Sequence, residues 1–335
     1  MKILITGSAG FIGFYSFLKF REAGFDVVGL DNINDYYDVN LKLGRLRICG
    51  VDTDMISTGK LQDCRGGGRF IKLDLTSREK VEELFRNENF DLVCHLAAQP
   101  GVRYSMENPY AYIDSNIVAM LNILECCRHN NIQHLVYASS SSVYGSNSKI
   151  PFSETDNVDH PISLYAATKK SDELMAYCYS HLFKIRATGL RFFTVYGPWG
   201  RADMAMFQFT KNILAGKPVK VFNHGDMRRD FTYIDDIVNG IYLAATQKPK
   251  NHDDLYSIYN IGNGKPVALM DFIRAIEKYT GKKAMLELLP LQPGDVHETW
   301  ADTSALSAAF DYVPKVDIDT GVRNFVEWYK SFYKC

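Results

Sequence analysis

The chain has 335 residues, of which 46% are hydrophobic and 23% charged, a composition typical of one large folded domain or two interlocked lobes. Its 38 lysines and arginines nearly balance 39 aspartates and glutamates, which argues against a nucleic-acid partner or a polybasic membrane address. No apolar run approaches the roughly 18 residues that span a bilayer, and a glycine interrupts the N-terminus too early for a signal peptide. We therefore expect a soluble cytoplasmic protein.

The seven cysteines are odd in number and include no Cys-x-x-Cys pair. This spacing argues against a disulfide framework and against a zinc knuckle, because both need regularly paired cysteines. We expect reduced and mostly buried thiols, and no metal site.

Apolar segments alternate with helical segments over the first part of the chain. The predicted strands are residues 2–6, 25–30, 70–73, 92–96, 134–138 and 185–191. The predicted helices are residues 12–23, 77–86, 110–129 and 164–183. Helical crossovers connect parallel strands, and strands that are apolar throughout are buried on both faces. The sequence therefore predicts the α/β class, with a Rossmann-type doubly wound parallel sheet.

Two regions depart from this alternation. Residues 32–69 are too long for an ordinary connector, and within them residues 41–49 have a helical pattern. Residues 263–335 contain several prolines, which indicates a smaller C-terminal α/β lobe. The predicted division assigns 1–194 to the Rossmann domain, with 225–258 returning to it, and 195–224 and 259–335 to the smaller lobe.

Three glycines, Gly7, Gly10 and Gly13, stand between the first predicted strand and the first predicted helix. The first permits a tight turn, the second lets the backbone approach a pyrophosphate, and the third lets helix and strand pack closely. Free N–H groups at the start of the helix then face the anion. Glycines alone are a weak signal, so the strand and helix around them carry the prediction of a dinucleotide site.

Asp31 ends the second predicted strand, where a carboxylate can accept hydrogen bonds from both hydroxyls of an adenosine ribose. Its charge would repel a 2′-phosphate, and Asn32 follows where an arginine would be expected for NADP. The pattern therefore favours NAD. Later strand ends add candidate contacts to adenine, ribose and pyrophosphate, although a strand end alone needs no special role. These candidates are Asp74, Leu75, Leu96, Ala97, Ala98 and Gln99.

Tyr165 and Lys169 are four residues apart on a predicted helix, so their side chains share one face. An ordinary tyrosine has a pKa of about 10 and is a poor base at neutral pH. A neighbouring ammonium and a cationic nicotinamide ring both favour the phenolate, which makes Tyr165 a candidate proton acceptor. The spacing is common, and a solvated helix face is the alternative interpretation.

A run of four serines, residues 139–142, follows the fifth predicted strand. Ligands of open parallel sheets bind at the carboxyl ends of the strands, and four serines exceed what a turn requires. We interpret them as hydroxyls that bind a sugar oxygen and relay a proton, with turn and cap residues as the alternative.

These motifs resemble the extended short-chain dehydrogenase/reductase superfamily over nearly the whole chain. TGSAGFIG, HLAAQ, SSSSVYG and YAATK occur in the order and spacing of that superfamily. Longer strings are similar to those of UDP-glucuronate 4-epimerases: LDNINDYYDVNLKLGRL at 30–46, AAQPGVRYSMENPYAYIDSN at 97–116, LRFFTVYGPWGRADMA at 190–205 and GDMRRDFTYIDDIV at 225–238. The resemblance implies an isomerase that holds NAD tightly and epimerises C4 of UDP-glucuronate, giving UDP-galacturonate through a 4-keto intermediate.

The resemblance also implies residue roles. Tyr165, Lys169 and either Ser140 or Ser141 would form the catalytic group, in contact with the sugar and the nicotinamide ribose. Around NAD, the residues given above would be joined by Phe11, Ile12 and Asn116. The smaller lobe and its border would bind the UDP-sugar, and the residues implied there are Arg103, Thr194, Arg201, Arg229 and Asp295.

Each of these substrate residues has an expected role. Thr194 stands where epimerases of neutral sugars often carry an asparagine, and its short side chain would leave room for a carboxylate. Arg103 and Arg201 are candidates to hold phosphate or carboxylate in a bidentate manner, with a surface arginine as the alternative for Arg201. Arg229 and Asp295 should face the diphosphate and the uridine ribose.

Epimerases, decarboxylases and 4,6-dehydratases of the superfamily share oxidation at C4. Similar dehydratases carry Asp-Glu before the Val-Tyr-Gly tail and decarboxylases carry a Glu, whereas this chain has Ser141 and Ser142. Elimination of water needs a general acid and a general base, and neither Ser141 nor Ser142 supplies a carboxyl group for these roles. The alternatives are a UDP-glucuronate decarboxylase or 5-epimerase, another NAD-dependent UDP-sugar 4-epimerase, a net dehydrogenase, and a catalytically silent sensor.

The predicted helices near 104–129 and 164–183 carry apolar residues suited to an interface. In the family that the chain resembles, such a helix pair forms a four-helix contact between two subunits, so we expect a homodimer. Packing on the protein's own sheet is the alternative. The residues concerned are Ile117, Met120, Leu121, Leu174, Met175 and Tyr179.

Overall fold

A computed structural model describes residues 1–292 and 294–335 of the chain. Its strands are β1 (Lys2–Thr6), β2 (Asp26–Asp31), β3 (Leu61–Asp63), β4 (Arg69–Lys72), β5 (Leu92–His95), β6 (His134–Ser140), β7 (Arg186–Phe192), β8 (Thr194–Tyr196), β9 (Pro218–Val221), β10 (Arg228–Arg229), β11 (Phe231–Tyr233), β12 (Tyr256–Ile261), β13 (Val267–Ala268) and β14 (Met285–Leu288). Eight of these described strands form one sheet, in the order β12-β7-β6-β5-β1-β2-β4-β3. Neighbours in it are parallel, except that β3 is antiparallel to β4. The predicted doubly wound parallel sheet is confirmed.

The helices of the described residues connect these strands. They are α1 (Phe11–Glu22), α2 (Val39–Cys49), α3 (Arg78–Glu88), α4 (Tyr104–Glu107), α5 (Pro109–Tyr112), α6 (Ala119–His129), α7 (Leu164–Phe183), α8 (Ala205–Leu214), α9 (Ile234–Thr246), α10 (Leu269–Thr280), α11 (Ser304–Phe310) and α12 (Ile318–Tyr333). A π turn over Ile113–Val118 joins α5 to α6, so the helix predicted over 110–129 is locally widened. Helix α2 begins where the Asp38 side chain caps it and ends at Gly50, which has a φ of 92°.

Helices cover both faces of the large sheet, and its central strands therefore contribute to two cores. Ile3 and Ile5 of β1 are fully buried in the core that includes α1 and α9. Leu4, between them, is buried in the other core, with α3 and α6. Successive strand residues point to opposite faces, so a sheet covered on both sides needs apolar residues at every position. This arrangement explains the continuous apolar runs in the sequence.

The order of the strands reverses between β1 and β5. From β1 the chain moves outward through β2 to β4, and β5 then lies on the other side of β1. The loops that follow β1 and β5 diverge at this point, which leaves a crevice at the carboxyl ends of the central strands. Doubly wound sheets bind their ligands in this crevice.

The smaller C-terminal lobe consists of short two-stranded sheets together with α8, α10 and α12. β8 pairs with β11 and β9 with β14 in parallel, while β10 pairs antiparallel with β13. Trp199, in the loop after β8, packs on α12, since its ring lies 5.3 Å from that of Trp328 and 4.9 Å from that of Phe332, centroid to centroid. Strand β12 extends the large sheet to Ile261 and so crosses the domain boundary placed at 258.

The burial of the cysteines and the length and apolar character of the helices can be compared with what the composition predicts. All seven cysteines are free thiols, of which Cys178 and Cys335 are exposed and the others are buried, as predicted. Across residues 1–292 and 294–335, no helix combines the length and the apolar character needed to cross a membrane.

Candidate active site

A cavity of about 450 Å³ lies at the carboxyl ends of β1, β2, β4, β5 and β6. It brings together most residues that the sequence proposed for a site. Those that line it are Gly7, Gly10, Phe11, Ile12, Gly13, Asp31, Asn32, Asp74, Leu75, Leu96, Ala97, Ala98, Gln99, Ser140, Ser141, Tyr165, Lys169, Thr194, Arg201, Arg229 and Asp295. Two further candidates, Asn116 and Arg103, lie outside this lining.

The glycine turn brings the backbone close to the start of α1. Gly7 has a positive φ of 73°, and its carbonyl oxygen accepts the N–H of Gly10 at 2.8 Å. A Cβ on Gly13 would lie 2.1 Å from the same oxygen, so a side chain there does not fit. Gly10 occupies the cap position of α1 and supplies no side-chain acceptor to its first N–H groups. The turn therefore presents backbone donors that can hold an anion.

Asp31 is buried at the end of β2 with a fixed orientation. One carboxylate oxygen accepts the N–H of Ala9 at 3.0 Å, and the other accepts the N–H of Ile33 at 2.8 Å. Lys42 of α2 also lines the cavity, and its Nζ donates to the Asn34 side chain at 2.6 Å. Burial lowers the pKa of Lys42, and the nearby charge of Asp31 opposes this shift in part. This buried ammonium is not among the residues that the sequence predicts for the site.

Arg45, one turn after Lys42 on α2, is fully buried among carbonyl and hydroxyl partners. Its guanidinium donates to the carbonyls of Ala9 at 2.8 Å and Trp199 at 2.7 Å, and to the Tyr37 hydroxyl at 2.6 Å. Arg45 therefore ties the glycine turn to the loop that follows β8. The long excursion after β2 supplies both of these buried cations.

Tyr165 and Lys169 lie in the first turns of α7. The Ser163 hydroxyl caps this helix by accepting a backbone N–H of its first turn at 3.1 Å. Lys169 is 3% exposed, and its ammonium donates to the carbonyl of Ala138 and to the carboxylate of Asp172, each at 3.0 Å. An ammonium has three donors, so one remains for a ligand in the cavity. The Tyr165 ring lines the same cavity.

Asn116, a predicted cofactor residue, is buried behind the cavity wall. It belongs to the π turn between α5 and α6, and its side-chain oxygen accepts the N–H of Gln99 at 2.8 Å. Its side-chain nitrogen donates to the Thr168 hydroxyl at 2.9 Å. Asn116 therefore connects the loop after β5 to α7 at the residue before Lys169. In this structure its contacts serve the geometry of the cavity wall.

The serines of the run have different environments. Ser139 is buried and donates to the Glu173 carboxylate at 2.6 Å. Ser140 accepts hydrogen bonds from the N–H and the hydroxyl of Ser142, at 3.1 and 2.9 Å. Ser141 is half-buried at the start of the next 3₁₀ turn and lines the cavity. Ser139 is thus committed to the interior, while Ser140 and Ser141 remain the candidates for a relay.

Arg201 is held by an ion pair within the protein. Its Nε donates to Asp203 at 3.0 Å, and a terminal nitrogen donates to the second carboxylate oxygen. The Tyr36 hydroxyl also donates to Asp203, at 3.2 Å. Burial acts to raise the pKa of the Asp203 carboxyl, but the Arg201 charge outweighs it and the pKa lies below its ordinary value. The Arg201 side chain is only 22% exposed, which argues against the alternative of a surface arginine.

Arg229 and Arg103 both contact the loop that contains Asp295. Arg229 donates to the carbonyls of Val296 and His297 at 2.7 and 2.9 Å, and so braces this loop. Arg103 is 49% exposed and pairs with Asp295, with 2.9 Å between its Nη2 and the carboxylate. This ion pair joins the loop after β5 to the C-terminal lobe.

The doubly wound sheet, the glycine turn and the Tyr165–Lys169 pair at one cavity define an enzyme of the short-chain dehydrogenase/reductase class. The sequence profile of the NAD dependent epimerase/dehydratase family matches residues 3–262. The chain belongs to this family, which confirms the resemblance of its motifs.

Known proteins similar to this chain cover its whole length. It is 51% identical to protein CapI of Staphylococcus aureus, with 100% of both chains covered. It is 42% identical to a probable UDP-glucuronate 4-epimerase of Rhizobium meliloti (strain 1021), with 100% of this chain and 98% of the relative covered. Among solved structures, UDP-glucuronic acid 4-epimerase from Bacillus cereus, in complex with UDP-glucuronic acid and NAD, has a TM-score of 0.89 and 33% identity, with 99% of this chain and 100% of that chain covered.

Proposed function

We infer that this chain is an NAD-dependent UDP-glucuronate 4-epimerase, an isomerase that interconverts UDP-glucuronate and UDP-galacturonate. The observation that carries this conclusion is the placement of Tyr165 and Lys169 at the same cavity as the glycine turn and Asp31. Full-length similarity to enzymes of this name supports the choice of substrate and of reaction.

The residues of the cavity fit NAD as the resident cofactor. A Cβ on Gly10 would lie 2.9 Å from the Gly7 carbonyl oxygen, so the turn has no room for a side chain there and its backbone N–H groups are the groups that can bind an anion. The buried carboxylate of Asp31 suits two ribose hydroxyls and disfavours a 2′-phosphate. We propose that NAD is held by Gly7, Gly10, Phe11, Ile12, Gly13, Asp31, Asn32, Asp74, Leu75, Leu96, Ala97, Ala98, Gln99, Tyr165 and Lys169, with Asn116 behind them.

The side chains supply the proton chemistry of epimerisation. Bound NAD would supply the reversible hydride chemistry at C4 of the sugar, with removal from one face and return to the other. Tyr165, as the phenolate, accepts the proton of the C4 hydroxyl, directly or through Ser140 or Ser141. The Lys169 ammonium stabilises the phenolate by its charge. After the sugar has turned, Tyr165 returns the proton to the C4 oxygen as the hydride returns to C4, and the return of the hydride means that no net oxidation occurs.

The substrate side of the cavity has groups for each part of a UDP-sugar. We propose that Thr194 and Arg201 hold the sugar carboxylate, since Asp203 already orients the guanidinium fork of Arg201. Arg229 and Asp295, with Arg103 paired to Asp295, are proposed to hold the diphosphate and the uridine. This remote anchor would keep the sugar bound while it rotates.

Incubation of the purified protein with UDP-glucuronate, without added NAD, tests the function directly when products are followed by proton NMR. A mixture with UDP-galacturonate is the expected result, and it would demonstrate both 4-epimerisation and a retained cofactor. UDP-xylose or a 4-keto pentose would identify a decarboxylase instead. Stoichiometric NADH, formed when NAD is added, would identify a net dehydrogenase.

Replacement of Lys42 by methionine should weaken NAD binding about tenfold. The buried Lys42 ammonium attracts the anionic dinucleotide, and methionine removes this positive charge. The measurement is the NAD content of the purified protein and its dissociation constant by calorimetry. Lys60→Met, an exposed lysine of the same excursion, is the matched control and should leave both unchanged. Equal NAD binding in the two variants would contradict this role of Lys42.

We also propose a homodimer formed through a four-helix contact of α5–α6 and α7. Leu121 is 41% exposed and Leu174 is 58% exposed on these helices. Met120, which the sequence analysis assigned to the same surface, is fully buried in the protein's own core. We expect light scattering to give twice the mass of one chain, and Leu174→Glu to halve it. Leu286→Glu, on exposed β14, is the control, and a monomeric wild type would remove the proposal.

Two further assignments remain proposals. We propose a cytoplasmic location, because buried free thiols are typical of a reducing compartment. We also propose that residues 1–194, with 225–258 and the end of β12 to Ile261, carry the cofactor, and that 195–224 with the rest of 259–335 bind the UDP-sugar.

A further inference from the structure

We propose that Asp172 is a positioning residue of the reaction, which fixes the Lys169 ammonium and offsets part of the positive charge that Lys169 presents to Tyr165. The proposal rests on the proposed epimerase function, in which Tyr165 is the base. It gives a role to a buried carboxylate that the proton chemistry above does not use.

The geometry around the ammonium is the first argument. The Asp172 carboxylate lies 3.0 Å from Lys169 Nζ, and the two side chains are only 2% and 4% exposed. The carbonyl of Ala138, on β6, accepts from the same nitrogen at 3.0 Å. Helix α7 and strand β6 thus hold the ammonium from two sides. Its remaining donor is directed by these two contacts and cannot follow the free rotation of a solvated lysine.

The second argument is that Asp172 is poorly satisfied as a structural ion pair. Its Oδ1 is buried and has no hydrogen-bond partner within the described residues, although a buried carboxylate oxygen without a partner is costly. The next residue, Glu173, shows the contrasting case, since Arg191 donates to both of its oxygens and Ser139 donates to one. Burial raises the pKa of Asp172 to about 6. The unpartnered oxygen favours a contribution through charge at Lys169 over one through stability, and the Asp172 carboxylate carries this charge at neutral and alkaline pH.

Of the other described titratable groups near the Asp172–Lys169 pair, only Lys170 adds an unbalanced charge, and its ammonium lies 3.9 Å from the Glu173 carboxylate on the partly exposed side of α7. These titratable groups come from α7 and from the strands packed against it: Glu173, Lys170, Tyr137, Tyr256, Arg191 and His95. Glu173 and Arg191 neutralise each other in a buried ion pair. His95 is neutral because burial lowers its pKa to about 3, and Tyr137 is neutral because burial raises its pKa well above the ordinary value.

A neutral side chain in place of Asp172 therefore has a predictable effect on the dependence of kcat on pH. The full positive charge of Lys169 would then act on Tyr165, which favours the charged form of the phenol. The ammonium would lose the carboxylate that stabilises its own charged form. Both limbs of the bell-shaped pH profile of kcat should consequently move in the same direction.

The test compares pH profiles of kcat for UDP-glucuronate epimerisation. Asp172→Asn keeps the shape and one acceptor oxygen, and both limbs of its profile should lie about 0.5–1 pH unit below those of the wild type, with NAD content retained. Asp172→Ser, a second neutral variant, should move them in the same direction, while Asp172→Glu should leave them near the wild type. Glu83→Gln, an exposed carboxylate on α3, is the charge-matched control and should not move them.

A lowered rate with an unmoved profile in both neutral variants would overturn the proposal, because a merely structural role predicts that outcome. A shift of the same size in Asp172→Glu would overturn it as well. Absence of turnover in the wild type would instead overturn the proposed function, and this inference with it.

Discussion

Tyr165→Phe should lower kcat for epimerisation by about 10³-fold or more, while the protein keeps its fold and its bound NAD. The substitution removes the hydroxyl that exchanges the proton with the C4 oxygen and leaves the ring in place. The ring has its own contact, an edge-to-face arrangement with Tyr112 at 6.0 Å between centroids, which phenylalanine can maintain. The measurement is product formation by NMR, together with the NAD content and the melting temperature of the variant.

Tyr177→Phe is the matched control for this experiment. Tyr177 lies on the same helix, α7, at 55% exposure, and loses the same hydroxyl when it is replaced. We expect wild-type turnover in this variant. If Tyr165→Phe kept more than about a tenth of the wild-type rate, a general base elsewhere would have to be sought, because such a small loss is below that of a missing acid–base catalyst.

The central strands of the large sheet could be predicted, because burial on both faces requires a continuous run of apolar residues. Strand β3 has no such run. It has three residues, none of them buried, and it lies at the edge of the sheet beside β4. The π turn at Ile113–Val118 is similarly invisible, because a helical pattern over 110–129 does not reveal one locally wider turn. Strand β3 joins the sheet only through its antiparallel pairing with β4.

The residues of the candidate site divide into those fixed by local sequence and those placed by contacts distant in the chain. Gly7, Gly13 and Asp31 could be predicted because they flank one short strand–turn–helix segment. Lys42 and Arg45 could not, although their helix was predicted, because lysine and arginine on a helix are usually exposed. Arg45 is buried by carbonyls that lie 36 and 154 residues away along the chain.

Gly13→Ala should abolish NAD retention, with affinity for NAD reduced at least about 100-fold, or about 2.7 kcal/mol. The new Cβ would lie 2.1 Å from the Gly7 carbonyl oxygen and 2.7 Å from its carbon, and both atoms belong to the backbone of the turn. The turn must then move away from α1, and its N–H groups no longer converge on the pyrophosphate. NAD content after purification and calorimetric titration with NAD measure the loss.

Gly10→Ala provides a graded comparison, because its Cβ would meet the same carbonyl oxygen at 2.9 Å. The φ of Gly10 is −74°, which alanine adopts without strain, so the steric contact is the main difference between the two variants. We expect Gly10→Ala to bind NAD more weakly than the wild type and more tightly than Gly13→Ala. The melting temperature without NAD separates a displaced turn from a protein that has lost its fold. A folded Gly13→Ala variant with wild-type NAD content would show that the glycine turn does not determine cofactor binding in this chain.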